Sequence, residues 1–571
     1  MDQHPLKFFK ALAPEKEPRP QQQHVLNTVA DNWDKYDYFI LNCPTGVGKT
    51  LIGESIGGVN TNAYFLTSTL QLQEQYEKSW SALVNLKGRG NYQCNINPAF
   101  TVDAAPCTAA PELANQCKRN SICSYYNQKK KAMDSQSMIT NPVYFLYSTH
   151  CGFGKDVEEE ENAWKRRSVL IVDEAHNLEG HLRQFAESTI DPKYLHEEFG
   201  CATGHIVFTG IFIEDYQRIV EIRDALLVRQ EHFAKRLEQE FPQISGDLGA
   251  WAKGFSDKIA DKVQKLNAKI YNLDKALQPI KIFFNTHKTL DELESRWFIH
   301  SDVEKNTVTL SPLYGNFLFF EYLHKMADKF IFMSATPGTK AAFCKELGIP
   351  HDRCLYIETD SPFEPVKSPI LVLPKLKMGY NDLPQTMKQI PNVITDILAN
   401  HKGDRGIIHC ATYKLQDEIY RRVPTEVKNR LICRDMYAID HAVSGKAGFA
   451  KKMKNDEMLR LHESGSVKGS VLLSPSMMEG VDLYDDLSVF QIILKFPWAS
   501  LMDPLIKKKS EIDRDWYVNK TWVHIMQASG RSTRHESDES ITYLLDASFP
   551  YFYSQWKHNL PKWFTDRLFF D

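Results

Sequence analysis

The string "CPTGVGKT" at 43–50 gathers glycines, a lysine and a hydroxyl in one short turn. In such a turn Gly46 and Gly48 let backbone N–H groups face phosphate oxygens, Lys49 neutralises the β- and γ-oxygens, and Thr50 can ligate magnesium. Cys43 stands where the strict pattern GxxxxGK[ST] has its first glycine, so the string alone does not separate a phosphate loop from an ordinary glycine turn. "VLIVDEAH" supplies the complement, an apolar strand that delivers two adjacent carboxylates to a sheet edge. Asp173 can hold magnesium through water, and Glu174 can orient and deprotonate an attacking water. Near the end of the chain "QASGRSTR" sets Arg531 and Arg534 three apart on a helix, where a second domain could offer them to a transferring phosphoryl group. Taken singly these are a glycine turn, loop acids and a solvated helix face. Their order along the chain favours the joint reading.

A second chemistry is suggested by Cys94, Cys107, Cys117 and Cys123, separated by 12, 9 and 5 residues. A reducing compartment disfavours disulfides, and structural zinc sites usually contain close CxxC pairs, which are missing here. Iron–sulfur clusters also take four thiolates and tolerate irregular spacing. Spacing leaves structural cysteines, zinc and iron–sulfur open. The surrounding segment 87–131 has seven Lys and Arg against two acids, net +5 in a chain of net charge −3. Basic groups beside Tyr92, Tyr125 and Tyr126 suit phosphates and stacked bases, or a solvated lysine run next to core tyrosines.

These residues need elements to position them. Around the first string the order is apolar strand, glycine turn, helix. "NAYFLTSTLQLQEQYEKSW" repeats that order, and "KRRSVLIVDEAH" adds a buried-type strand. Such alternation predicts a parallel sheet with ligands at the carboxyl ends of its strands. Between 183 and 300 the pattern changes. Ile259, Val263, Leu266, Ile270, Leu273 and Leu277 form a heptad seam, and 212–241 is also helical by period, so a mostly helical insertion is expected, with no chemistry assigned to the seam. From "DKFIFMSATPG" onward strands and helices alternate again, which predicts a second α/β domain.

Composition bounds the rest. A chain of 571 residues divides into several domains. With 43% hydrophobic and 25% charged residues it reads as globular, and it has no apolar run of membrane-spanning length and no signal-peptide core near its start. Eleven cysteines thinly spread over the chain point to a reducing intracellular setting, taken as cytoplasmic.

In order, "CPTGVGKT", "TSTLQLQEQ", "VDEAH", "SATPG", "GIIHCATY", "MMEGVDL" and "QASGRSTR" resemble motifs I, Ia, II, III, IV, V and VI of a superfamily 2 helicase. The cysteine segment between motifs Ia and II, with "KGRGNYQC" before it and "ITNPVYFLYS" after it, is similar to the iron–sulfur insertion of XPD/DinG helicases. "SPFEP" at 361–365 resembles the segment that opens their second motor domain.

The resemblance implies an α/β fold of two RecA-like motor domains with parallel sheets, an iron–sulfur insertion and a helical arch. The expected boundaries are 1–86 with 135–182 for motor domain 1, completed by about 301–340; 87–134 for the iron–sulfur domain; 183–300 for the arch; and 341–571 for motor domain 2. It implies ATP, magnesium and a 4Fe-4S cluster on Cys94, Cys107, Cys117 and Cys123. Thr50 and Asp173 would hold magnesium, and Gln22, Thr45, Gly46, Gly48, Lys49, Thr50 and Asp482 would hold nucleotide. Lys49, Asp173, Glu174, His176, Gln527, Arg531 and Arg534 would serve hydrolysis. Ser334 and Thr336 would couple the domains, with Glu479 and Gly480 near the cleft.

The expected activity is 5'-to-3' translocation on single-stranded DNA by a monomer that opens tailed or forked duplexes, with no membrane partner. Rival readings are a clamp or remodeller that hydrolyses ATP without unwinding, an RNA helicase, and a phosphate-loop ATPase acting on proteins. Ser548 departs from the family pattern, which tends to carry Arg there.

Overall fold

The computed structural model describes residues 3–60, 62–105, 107, 111–150, 164–240, 257–436, 452–477, 483, 485–530 and 539–571. Its first half contains β1 (Tyr38–Asn42), β2 (Ala63–Leu66), β3 (Val84–Asn85), β4 (Ser137–Thr140) and β5 (Arg167–Asp173). Next come β6 (Ser188–Ile190), β7 (Trp297–Asp302) and β8 (Thr307–Pro312), then β9 (Ala327–Ser334) and β10 (Cys354–Glu358). The first sheet is parallel throughout, in the order β10-β1-β9-β5-β2-β4-β3. β1 and β2 are buried at every position, as their uninterrupted apolar runs require when helices cover both faces. Register aligns Asn42 with Ser334 and Asp173 with Met333, so the loops after β1, β5 and β9 leave the sheet at one edge.

The second sheet is also parallel, in the order β13-β14-β12-β15-β16-β11-β17. Its strands are β11 (Ile370–Leu376), β12 (Gly406–His409), β13 (Leu431–Ile432), β14 (Val471–Ser474), β15 (Phe490–Ile493), β16 (Ile541–Asp546) and β17 (Leu568–Phe570). Two parallel-sheet α/β units are therefore present, as the sequence predicts. The boundary at 341 needs correction, because β10 pairs with β1 and the second sheet begins only at Ile370. As a short strand, "CLYIE" carries no local signal for which of two similar sheets it joins.

Two long helices, Phe212–Glu240 and Asp257–Asn285, pack together in the insertion. Leu266, Ile270, Leu273 and Leu277 of the heptad seam are buried. The side chains of Ile259 and Val263 lie outside the described residues. The insertion is not wholly helical, since β6, β8 and β7 form an antiparallel sheet at its base.

In the cysteine segment, helices Pro111–Arg119 and Ser124–Asp134 precede β4. Arg167 at the start of β5 anchors the second helix. Its guanidinium donates to the Ala132 carbonyl at 2.9 Å and the Ala63 carbonyl at 2.7 Å, while lying 4.3 Å from the Tyr64 ring centre.

Candidate active site

β1 ends at Asn42, and the Cys43 amide donates to the Ser334 carbonyl at 2.9 Å, fixing the start of the glycine turn against β9. Gly46 and Gly48 have φ of 83° and 86°, the left-handed region that a side chain strains. Space imposes the same choice: a Cβ on Gly46 would lie 2.1 Å from the Phe363 ring, and one on Gly48 would lie 2.5 Å from Gln22 Nε2. Helix Lys49–Gly58 follows, and Lys49 Nζ lies 3.4 Å from the Cys43 carbonyl oxygen. Gln22 is buried on the turn, accepting from the Arg19 amide at 2.9 Å, while the Arg19 guanidinium donates to the Gly46 carbonyl.

Asp173 closes β5 and is buried. Its carboxylate accepts from the Tyr76 hydroxyl and from the Glu174 amide, both at 2.9 Å. Burial first, and the neighbouring Glu174 second, push its pKa up to about 6 against the opposing pull of Lys49. A bound divalent cation would reverse that balance by favouring the carboxylate. Glu174 has φ 53°, a left-handed backbone rare outside glycine, which turns the chain sharply off the strand end.

The site spans both sheets. His176 Nδ1 lies 3.4 Å from Glu174 Oε2 and 2.9 Å from Ser334 Oγ, which accepts from the Thr336 amide at 3.0 Å. Thr336 Oγ1 in turn accepts from the side-chain amide of Gln527, on helix Arg514–Ser529 of the second unit. One cavity is lined by Thr45 and Glu174 from the first unit and by Gln527, Gly530 and Arg567 from the second. The structure thus brings together Gln22, the glycine turn, Asp173, Glu174, His176 and Gln527. Glu479, Gly480, Asp482, Arg531 and Arg534 lie outside the described residues.

Some partners are invisible to motif reading. Tyr76 supports Asp173 from 97 residues away. A buried ion pair also crosses the cleft: Lys509 Nζ lies 3.1 Å from Glu179 Oε1, with Arg183 Nε 3.1 Å from the same oxygen. Burial alone would raise Glu179, but Lys509 and Arg183 outweigh it and hold its pKa down to about 2.

Glu54, fully buried in helix Lys49–Gly58, accepts from the Ser79 hydroxyl, and burial pushes its pKa from 4.5 up to about 7. The folded protein therefore holds this proton more tightly than the unfolded chain, and its contribution to stability falls as pH rises through 4.5 toward 7. Glu54→Gln is expected to raise the melting temperature at pH 8, by an amount equivalent to at most about 3 kcal/mol, and to lose that advantage below about pH 4.5. A Tm difference independent of pH would contradict this assignment.

The four cysteines of the insertion carry no disulfide. Cys94, Cys117 and Cys123 are buried, and Cys107 is half-buried. They are electrostatic neighbours. Burial chiefly raises Cys107 to about 11, with Cys123 and Cys94 adding and Arg89 opposing, while Cys117 rises to about 12 with contributions from the other three. Among the described residues no group of three or more His, Cys, Asp or Glu side chains is placed to hold a metal ion.

Of the two readings of the tyrosines, Tyr125 fits the core one: it is buried, its hydroxyl 2.7 Å from that of Tyr144 and its ring edge-on to Tyr92. Ser548 starts a helix, its amide donating to Asp546 at 2.9 Å. Among the described residues no helix is long and apolar enough to cross a membrane.

The chain matches the family models described as "Type III restriction enzyme, res subunit" over residues 15–197 and "Helicase C-terminal domain" over 394–567. It is 23% identical over 493 residues to the ATP-dependent DNA helicase YoaA of Haemophilus influenzae, covering 79% of this chain and 69% of that protein. It is 22% identical over 504 residues to YoaA of Escherichia coli, covering 82% and 73%. Among solved structures, an XPD helicase superposes with TM-score 0.61 at 15% identity over 97% of this chain and 100% of the other. The Xpd4 structure from S. tokodaii gives 0.54 at 14% identity over 97% and 100%. Those superpositions show a shared fold of two parallel-sheet units, and with the motif order and the two family matches they make this chain similar to the XPD/DinG-like superfamily 2 helicases.

Proposed function

We propose that the chain is an ATP- and magnesium-dependent DNA helicase that moves 5'-to-3' along single-stranded DNA. The observation that carries this reading is the cavity shared by Thr45 and Glu174 on one unit and Gln527 on the other, because a nucleotide bound there draws the two units together. Lys49 and the turn's amides would hold the phosphates, Thr50 and Asp173 the magnesium, and Glu174 the attacking water. The His176–Ser334–Thr336–Gln527 connection would pass the state of the nucleotide between units. Asp482, Arg531 and Arg534 take their proposed roles from the motif resemblance alone.

The inserted segment would hold a 4Fe-4S cluster through Cys94, Cys107, Cys117 and Cys123. Four neighbouring, unbridged thiols near the half-buried Arg89 would suit a group that is anionic once ligated by thiolates. When bound, the cluster supplies a covalent cross-link for a segment with little core of its own. The net +5 of 87–131 supports a phosphate-contacting surface at the duplex fork.

The test is strand displacement on 5'-tailed, 3'-tailed and blunt duplexes, with ATPase stimulation compared for single-stranded DNA and RNA. Opening of 5'-tailed DNA alone is expected. Activity only on 3' tails would overturn the polarity, ATPase without displacement would leave a clamp or remodeller, and preferential RNA stimulation would move the substrate.

A further inference from the structure

The C-terminal segment places a guanidinium at the nucleotide cleft. Arg567 follows helix Lys562–Thr565 and immediately precedes β17, which pairs in parallel with β11 at the edge of the second sheet. Its backbone carbonyl accepts from the Ile370 amide at 2.7 Å, so the residue is held at the point where the chain enters that sheet. The side chain is buried, and it lines the same cavity as Thr45, Glu174 and Gln527.

Two of its donors are spent on carbonyls: Nε–H donates to Ser368 at 2.7 Å and Nη2 to Ser529 at 3.3 Å. Ser529 is the last residue of helix Arg514–Ser529, directly before Gly530 and the arginine-bearing stretch of "QASGRSTR". Among the described residues no carboxylate pairs with Arg567, and burial pulls its pKa down to about 10. A buried guanidinium without an anion is costly, and an anionic ligand would offset that cost. Neutral carbonyls fix the plane of the fork and leave its positive charge uncompensated. The cavity beside it opens on the phosphate turn and the water-orienting carboxylate, where a terminal phosphate would lie.

Resting on the nucleotide-hydrolysis reading of this cleft, we propose that Arg567 contacts the γ-phosphoryl group of the bound nucleotide, as a further arginine delivered by the C-terminal segment. The two carbonyl bonds orient the fork, so the contact needs no reorganisation when the cleft closes. The contact is made to the group that is transferred, so it stabilises the ATP-bound and transition-state complexes and leaves ADP affinity nearly unchanged.

The experiment uses the full chain and the variants Arg567→Gln and Arg567→Lys. It measures binding of fluorescent ADP with and without beryllium fluoride or aluminium fluoride, together with ATP turnover and thermal unfolding. In the wild type the fluorides are expected to tighten ADP. In Arg567→Gln the affinity for ADP alone should stay within about twofold, the fluoride-dependent tightening should fall by about tenfold or more, and turnover should fall by about 10²-fold. Arg567→Lys keeps the charge, guards against loss of folding in the Gln variant, and should recover part of the tightening.

Fluoride tightening equal to wild type in Arg567→Gln would overturn the proposal. So would a parallel loss of ADP and ADP–fluoride binding together with a lowered Tm, which would mark Arg567 as a tether for Ser368 and Ser529. Failure of the nucleotide reading itself looks different, because the wild type would then neither bind ADP nor hydrolyse ATP.

Discussion

Glu174→Gln is expected to lower ATP turnover by about 10³-fold while leaving ATP binding intact. The substitution keeps the shape of the side chain and removes its capacity to take a proton. Glu174 sits on a left-handed backbone at the end of β5, lines the cavity shared by the two units, and has His176 3.4 Å away. That geometry commits the carboxylate to the space above the phosphate turn, whereas its neighbour Asp173 is committed to Tyr76 and to the Glu174 amide. Lys49→Ala should also abolish turnover, but through loss of nucleotide affinity, since the proposed role of Lys49 is to supply charge to the phosphates. The two variants are separated by equilibrium binding of a fluorescent ATP analogue alongside phosphate release. Appreciable turnover in Glu174→Gln would remove this residue from the role of base.

Cys117→Ser is expected to lower iron content and to cut strand displacement by more than about tenfold, while a substantial part of the ATPase survives. Cys117 is buried within helix Pro111–Arg119, and its carbonyl accepts from the Ile122 amide at 3.1 Å on the way to Cys123. A hydroxyl there is a poor ligand for iron, so the loss should spread as local unfolding of 87–134. The motor sheets should keep their order because β4 and β5 pair with β2 independently of that segment. Iron analysis, visible absorbance and limited proteolysis read the first effect, and tailed duplexes read the second. Unwinding at the wild-type rate by iron-free protein would refute the structural role of the cluster.

The legible part of this molecule is the part written in contiguous strings. "CPTGVGKT" and "VDEAH" show their placement, because strand, turn and helix follow one another within a dozen or so residues, and their order together suggests the chemistry that neither states alone. Positions fixed by distant partners do not show. Tyr76 falls inside an ordinary amphipathic helix, and only the fold carries its hydroxyl to Asp173. Lys509 belongs to a run of three lysines that reads as solvated surface, yet it is buried against Glu179 from the other unit. Glu54 is polar in a helix covered on nearly every side, so periodicity gives no warning of its burial. Arg567 sits in a C-terminal stretch with no motif around it. The antiparallel strands β7 and β8 are hidden for another reason: the heptad seam before them is the stronger pattern in that stretch.

The seat of Phe363 on Gly46 has a mechanical meaning. Phe363 lies on the connector from β10 to β11, the stretch of chain that any rotation of one unit against the other must bend. Its ring rests on the backbone of the phosphate turn, so the pivot and the cradle are one assembly, much as a crank is keyed to its shaft. On the proposed function, swinging the units apart would shift the ring, and with it the turn that is to hold the phosphates. Stroke and release would then be geared together at a single glycine.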